Sequence, residues 1–211
     1  SSLPGCYIGL VIFILGAVTG IAYYGWQMHE DRRKYLVLGG FEIFCFVCCL
    51  LAVFMATLCM RSLVKSSHRH AEPVEIYLLF EAFCGEIVWC TAELARYIEI
   101  GGDVIILVVV LVRLVHVFTQ TWFILIAFEL VASESSGARA LRGRQCVAFL
   151  LMTNLALLIF HIIESMTDGF GYVNSSMSNY TYVKLLAGPM IAFYRFHCSV
   201  CLAEVWKATF S

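Results

Sequence analysis

The chain has 211 residues, 61% hydrophobic and 14% charged, where a soluble domain holds about 45–50% apolar and about 25% charged residues. With a mean hydropathy of +0.86, it has too few polar side chains to cover a water-soluble globule, so the composition points to a polytopic membrane protein. The formal net charge is -1, which excludes the strongly basic balance of a nucleic-acid binder and implies no acidic substrate.

A bilayer core about 30 Å thick requires roughly 20 apolar helical residues. Backbone groups in lipid must bond within their own segment, so the spans are helices. Six stretches qualify: 5–26, 35–60, 74–98, 103–132, 145–166 and 181–208. The predicted fold is all-α, with residues 1–211 forming one six-span transmembrane domain. The first span is nearly free of polar groups, and its Gly16-x-x-x-Gly20 favours close helix contact. No basic leader region or clear cleavage site marks a signal peptide, and the start at Ser1 reads as a point within a longer protein.

The second span carries Glu42 alone among apolar residues, together with Cys45, Cys48 and Cys49. Most of the ten cysteines sit in apolar runs and read as small hydrophobes. No second CxxC or histidine pair completes a zinc set, so no metal is expected. On the third span Glu86, Cys90 and Glu93 recur at helical spacing and share one face, with Glu75 and Glu81 nearer one end. The fourth span has Arg113, His116 and Gln120 on one face; the fifth has Asn154, His161 and Glu164. The sixth holds Pro189, Arg195 and a stripe of His197, Cys201 and Glu204.

Charge bias sets the orientation. Arg61, Lys65, Arg69, Arg139, Arg142, Arg144 and Lys207 fall on one side; Arg32, Arg33, Lys34 and Arg96 fall on the other. The first side is expected to be cytoplasmic, with both chain ends there. Sequons at Asn174 and Asn179 agree, since both lie in the outer loop before the last span.

An ionisable side chain at the bilayer centre costs about 2.5–3.5 kcal/mol, so such residues face the bundle interior or a wet cavity. Pairing alone is one explanation: Arg113 with a third-span glutamate, Arg195 with Glu204, and Gln120 and Asn154 as interhelical contacts. Four polar stripes on four helices instead suggest a polar path. Carboxylates, imidazoles and amides suit proton relay. No TVGYG filter, arginine ladder, nucleotide loop or nucleophile elbow is present, and no catalysed reaction is expected.

The sequence GPMIAFYRFHCSVCLAEVWK, from Gly188 to Lys207, resembles the last helix of the otopetrins, a family of proton-selective channels. The match rests on Pro189, the run Tyr194-Arg195-Phe196-His197, and Cys201-Leu202 through Glu204 to Trp206-Lys207. LVRLVHVFTQTWFI and LLMTNLALLIFHIIES are similar to the two preceding helices, with Leu158 where the family usually has tryptophan. Otopetrins have two six-helix halves per chain, and two chains make a pseudo-fourfold dimer; the chain resembles the C-terminal half.

The resemblance implies an otopetrin-type half-barrel in the plasma membrane that carries protons down their gradient without a cofactor. It implies lipid and protons as partners, with either an N-terminal half or identical subunits completing the pseudo-fourfold assembly. Gln120, Asn154 and a carboxylate, Glu42 or Glu86, would form the polar constriction, and His197 would lie at the interface between halves. Glu93, His116, His161 and Glu164 join the candidate pathway on helical spacing alone. Two alternatives stay open: a six-helix haem-binding redox carrier using His116, His161 and His197, and a non-conducting assembly half.

Overall fold

In the computed structural model, residues 3–26, 32–61, 63–65, 72–100, 104–131, 137–166 and 178–210 are described. Six helices account for nearly all of them: α1 Leu3–Trp26, α2 Arg32–Met60, α3 Pro73–Ile100, α4 Val104–Ala127, α5 Gly137–Met166 and α6 Ser178–Phe210. Two short extended segments, β1 Val64–Lys65 and β2 Leu130–Val131, pair antiparallel with Val64 opposite Val131. The chain is an all-α polytopic membrane protein.

Local chemistry sets the helix limits. Pro73 opens α3, where its missing N–H costs nothing, and Glu75 in the first turn suits the positive end of the helix dipole. Lys207 in the last turn of α6 complements the negative end. α6 runs unbroken through Pro189. α4 stops at Ala127, short of the expected 132. Phe128 and Glu129 tighten into a turn on Ile124 and Ile126, and Leu130–Val131 then finds backbone partners in β1 rather than in a further helical turn.

Five helices are long and apolar enough to cross a membrane on composition alone. The exception, α3, has 28 residues, or about 42 Å at 1.5 Å per residue, so its length suffices. Its glutamates, not its length, set it apart from the others, and it packs mainly on α6 and α4.

Contacts at one end show that successive helices run in alternating directions. Gly143 near the start of α5 faces Cys59 and Met60 of α2 and Phe210 of α6. Thr209 Oγ1 donates to the Leu130 carbonyl at 3.0 Å, and the Arg144 guanidinium lies 4.5 Å over the Trp206 ring. Gly5 of α1 sits against the Gln145 backbone of α5, with no room for a side chain. At the same end, the Glu75 carbonyl in the first turn of α3 meets His197 of α6.

The distribution of polarity is that of a membrane bundle. Ile8, Val11, Ile14, Val18 and Ile21 on α1, Leu51 and Phe54 on α2, and Leu111, Val115, Phe118 and Trp122 on α4 face outward. Glu42, Glu86, Arg113, His116, Gln120, Asn154 and Arg195 face inward. The main apolar core, which includes Met60, Leu79, Ile124, Leu150, Tyr194 and Leu202, lies toward the α2/α4/α6 C-terminal end. All ten cysteines are free thiols; Cys45, Cys49, Cys90, Cys198 and Cys201 are buried, which fits their reading as packing residues.

Candidate functional site: a buried ionic cluster

Helical periodicity brings the polar stripes of α2 to α6 to a common centre. Arg113 of α4 donates from Nε to Glu86 Oε2 of α3 at 2.9 Å, and its Nη1 lies 3.6 Å from Glu42 Oε1 of α2. His161 Nε2 of α5 approaches that same Glu42 oxygen at 3.2 Å. Arg195 of α6 lies 3.4 Å from Glu86 Oε1 through Nη2 and 3.4 Å from His116 Nδ1 through Nη1. The sequence His161–Glu42–Arg113–Glu86–Arg195–His116 thus joins five helices through residues that are at most 3% exposed.

The formal charges balance, with Glu42 and Glu86 against Arg113 and Arg195. Balance matters because removing one partner of a buried ion pair leaves an uncompensated charge and costs about 3–5 kcal/mol. A guanidinium has only donors. The Arg195 contact therefore requires His116 Nδ1 to accept, which makes the ring neutral with its proton on Nε2. Phe46 forms an apolar wall beside these groups: the His116 ring stacks on it at 5.1 Å and the Arg195 guanidinium lies 5.3 Å from it.

One helical turn beyond His116, Gln120 and Asn154 form a reciprocal amide pair. Gln120 Nε2 donates to Asn154 Oδ1 at 2.9 Å, and Asn154 Nδ2 donates to Gln120 Oε1 at 3.1 Å. Asn154 Nδ2 also donates to the Leu150 carbonyl at 2.8 Å. Tyr194 closes the same region, its hydroxyl bonded to the Val117 carbonyl and to Thr121 Oγ1 at 3.1 and 2.9 Å.

The remaining candidates make other contacts. Glu93 pairs with Arg96 on its own helix at 2.9 Å. His197 is buried, but its Nε2 is 3.0 Å from the Glu75 carbonyl and its ring stacks on Phe193 at 5.7 Å, outside the ionic cluster. Glu204 is exposed, so Arg195 turns inward to Glu86 and His116 rather than to Glu204. Positions 195 and 197 point roughly 200° apart at 100° per residue, which is why one arginine and one histidine of the YRFH run meet different neighbours. The Glu164 and Asn179 side chains and all of Asn174 fall outside the described residues.

Several participants were not legible in the sequence. Phe46 looks like an ordinary apolar residue there, Tyr194 enters only as a member of the YRFH run, and Arg96 reads as a charge at a span end. The spacing of Glu93 and Arg96 on one helix face is the signal that would have found that pair.

An apolar exterior around an ionic, hydrogen-bonded centre defines a membrane-embedded bundle with a polar core. Comparison with known proteins makes the class specific. The Otopetrin family profile matches residues 1–196, and the chain belongs to the otopetrin family. It is 25% identical over 218 residues to the proton channel OtopLc of Drosophila melanogaster, an alignment that covers 98% of this chain and 14% of that protein. The profile match ends just before His197, while the alignment with OtopLc extends over nearly the whole chain.

Proposed function

We propose that the chain is a proton-conducting six-helix unit of otopetrin type, a half-barrel in the plasma membrane whose pathway runs through the bundle centre. The observation that carries this reading is the unbroken, buried sequence of titratable and fixed charges from His161 through Glu42 and Glu86 to His116. Carboxylates and imidazoles accept and release protons, whereas guanidinium groups stay charged at all working pH values. Arg113 and Arg195 therefore act as fixed positive charges that oppose Na+ or K+ entry. A proton can instead neutralise a neighbouring carboxylate and requires no room for a hydrated ion. The Gln120–Asn154 pair closes the path beyond His116 and must separate, or admit water, for a proton to pass.

Two other readings receive less support. Haem ligation would need histidines paired across an open space, but the His161 and His197 rings contact Glu42 and a backbone carbonyl, and His116 is held between Arg195 and Phe46. A purely structural assembly half would fit the ion pairs but gives no role to two histidines at the ends of the cluster.

The test is reconstitution in liposomes with an internal pH dye. An acid step outside should acidify the interior, and replacing Na+ by K+ should leave the rate unchanged. Glu42→Gln should slow proton entry at least about tenfold, the effect of roughly 1.4 kcal/mol on a barrier. Well-folded protein with no proton entry, alone or with a supplied N-terminal half, would reject conduction and leave the assembly reading.

A further inference from the structure

The core contains a small cavity that the ionic cluster does not fill. Glu42, Trp89, Glu93, Ile106, Val109, Val110 and Arg113 line it, and its volume is about 20 Å³. A single water needs about 10–15 Å³ and two to four polar partners. Glu42 is fully buried; its Oε1 faces His161 and Arg113, and its Oε2 has no hydrogen-bond partner among the described residues. A buried carboxylate oxygen without a donor is unfavourable, and a water in this cavity removes that cost. A metal ion fits the space poorly: Arg113 lines it, and no three His, Cys, Asp or Glu side chains converge as a metal site among the described residues.

We propose that this cavity holds one ordered water bridging Glu42 Oε2 to the Glu93 carboxylate, which makes Glu93 the entry carboxylate of the buried cluster. Glu93 and Arg96 form a charge-balanced pair in the C-terminal half of α3, 7% exposed. A proton taken up by Glu93 passes to the water oxygen as the water releases one of its own protons to Glu42 Oε2. One O–H bond breaks and one forms at each transfer, and the water is regenerated. A proton on Oε2 neutralises the carboxylate and so weakens the hold of Oε1 on His161 and Arg113. The direction of transfer rests on the proton-conducting reading; the water site itself does not.

The experiment joins an experimental structure at a resolution that shows ordered water with proton flux in liposomes. The wild type should show one solvent peak within hydrogen-bond distance of both carboxylates. Val110→Ile adds a methyl-sized group to the lining and should remove the peak and lower proton flux roughly tenfold or more; Val109→Ile is the second filling variant should the first not fold. Glu93→Gln should keep the peak, because the amide still bonds water, yet lose flux to a similar degree. An empty cavity, or a direct contact between Glu42 and Glu93, would overturn the water site. Unchanged flux in a filled variant whose peak is gone would overturn the relay. A wild type that shows the water but carries no protons would reject the conduction reading and leave the site standing.

Discussion

Glu42 Oε1 serves both His161 and Arg113, at 3.2 and 3.6 Å. The two cannot both make their best bond to one oxygen, so a proton arriving on His161 would strengthen its hold on Glu42 at the expense of Arg113. The amide pair is different in kind, because neither Gln120 nor Asn154 changes charge with pH. Gln120→Ala or Asn154→Ala alone leaves a buried amide without its partner, at about 1–3 kcal/mol of stability. The double variant should cost less than the sum, with a coupling of about 0.5–3 kcal/mol, and thermal or denaturant unfolding of the four proteins measures it. If the pair closes the path, both single variants should also conduct faster than wild type. The inward direction of Glu86, Arg113, His116, Gln120, Asn154 and His161 was legible in the sequence, since helical period alone puts each set on one face. Two pairings were legible as well, Arg113 with a third-span glutamate and the grouping of Gln120 with Asn154; the other partners were not, because spacing along one helix says nothing about which helix lies opposite. Arg195 shows the cost: sequence proximity suggested Glu204, and packing gave it Glu86 and His116.

At the scale of elements, α3 is the unusual helix. Its glutamates exclude it from the most apolar class, yet Gly85 lets α6 come close beside Glu86: a Cβ there would collide with the Met190 side chain. That close approach brings Arg195 within 3.4 Å of Glu86. Gly85→Leu should push the two helices apart and destabilise the bundle by about 1–3 kcal/mol, the usual range for overpacking. A lowered melting temperature together with slowed proton entry checks this; an unchanged melt would mean that the α3–α6 contact is looser than it looks. The glycine spacing on α1 drew attention in the sequence to Gly16 and Gly20, while the tightest approach of that helix is at Gly5, on the Gln145 backbone. The end of α4 was also misjudged, because the apolar run continues to Val131 and only tertiary pairing with β1 turns it out of the helix.

Among the described residues, six helices alternate in direction, and one end gathers Arg61, Arg142, Arg144 and Lys207. The positive-inside rule assigns that end to the cytoplasm, and the proposed orientation puts Asn174 and Asn179 outside. Expressed in mammalian cells, the protein should carry N-linked glycan that an endoglycosidase removes and that Asn174→Gln with Asn179→Gln abolishes. Glycan-free wild type, with tags at both chain ends accessible only from outside, would reverse the orientation. The number and class of the helices were readable from composition and run length, because a bilayer fixes both. The chain spans 14% of the length of OtopLc.

The balanced charges of the centre also constrain how such a chain can change over generations. Losing Glu86 alone takes the carboxylate from Arg195 and leaves Arg113 only its longer contact to Glu42, while losing Arg195 alone leaves Glu86 Oε1 without its cation. Either single step passes through a damaged intermediate, whereas a paired exchange of both for apolar residues of similar size does not. Drift at these positions should therefore proceed in linked pairs, and related chains should keep both members or replace both. Glu204 and Lys207, exposed at the end of α6, lie outside the cluster, and this pairing rule does not reach them.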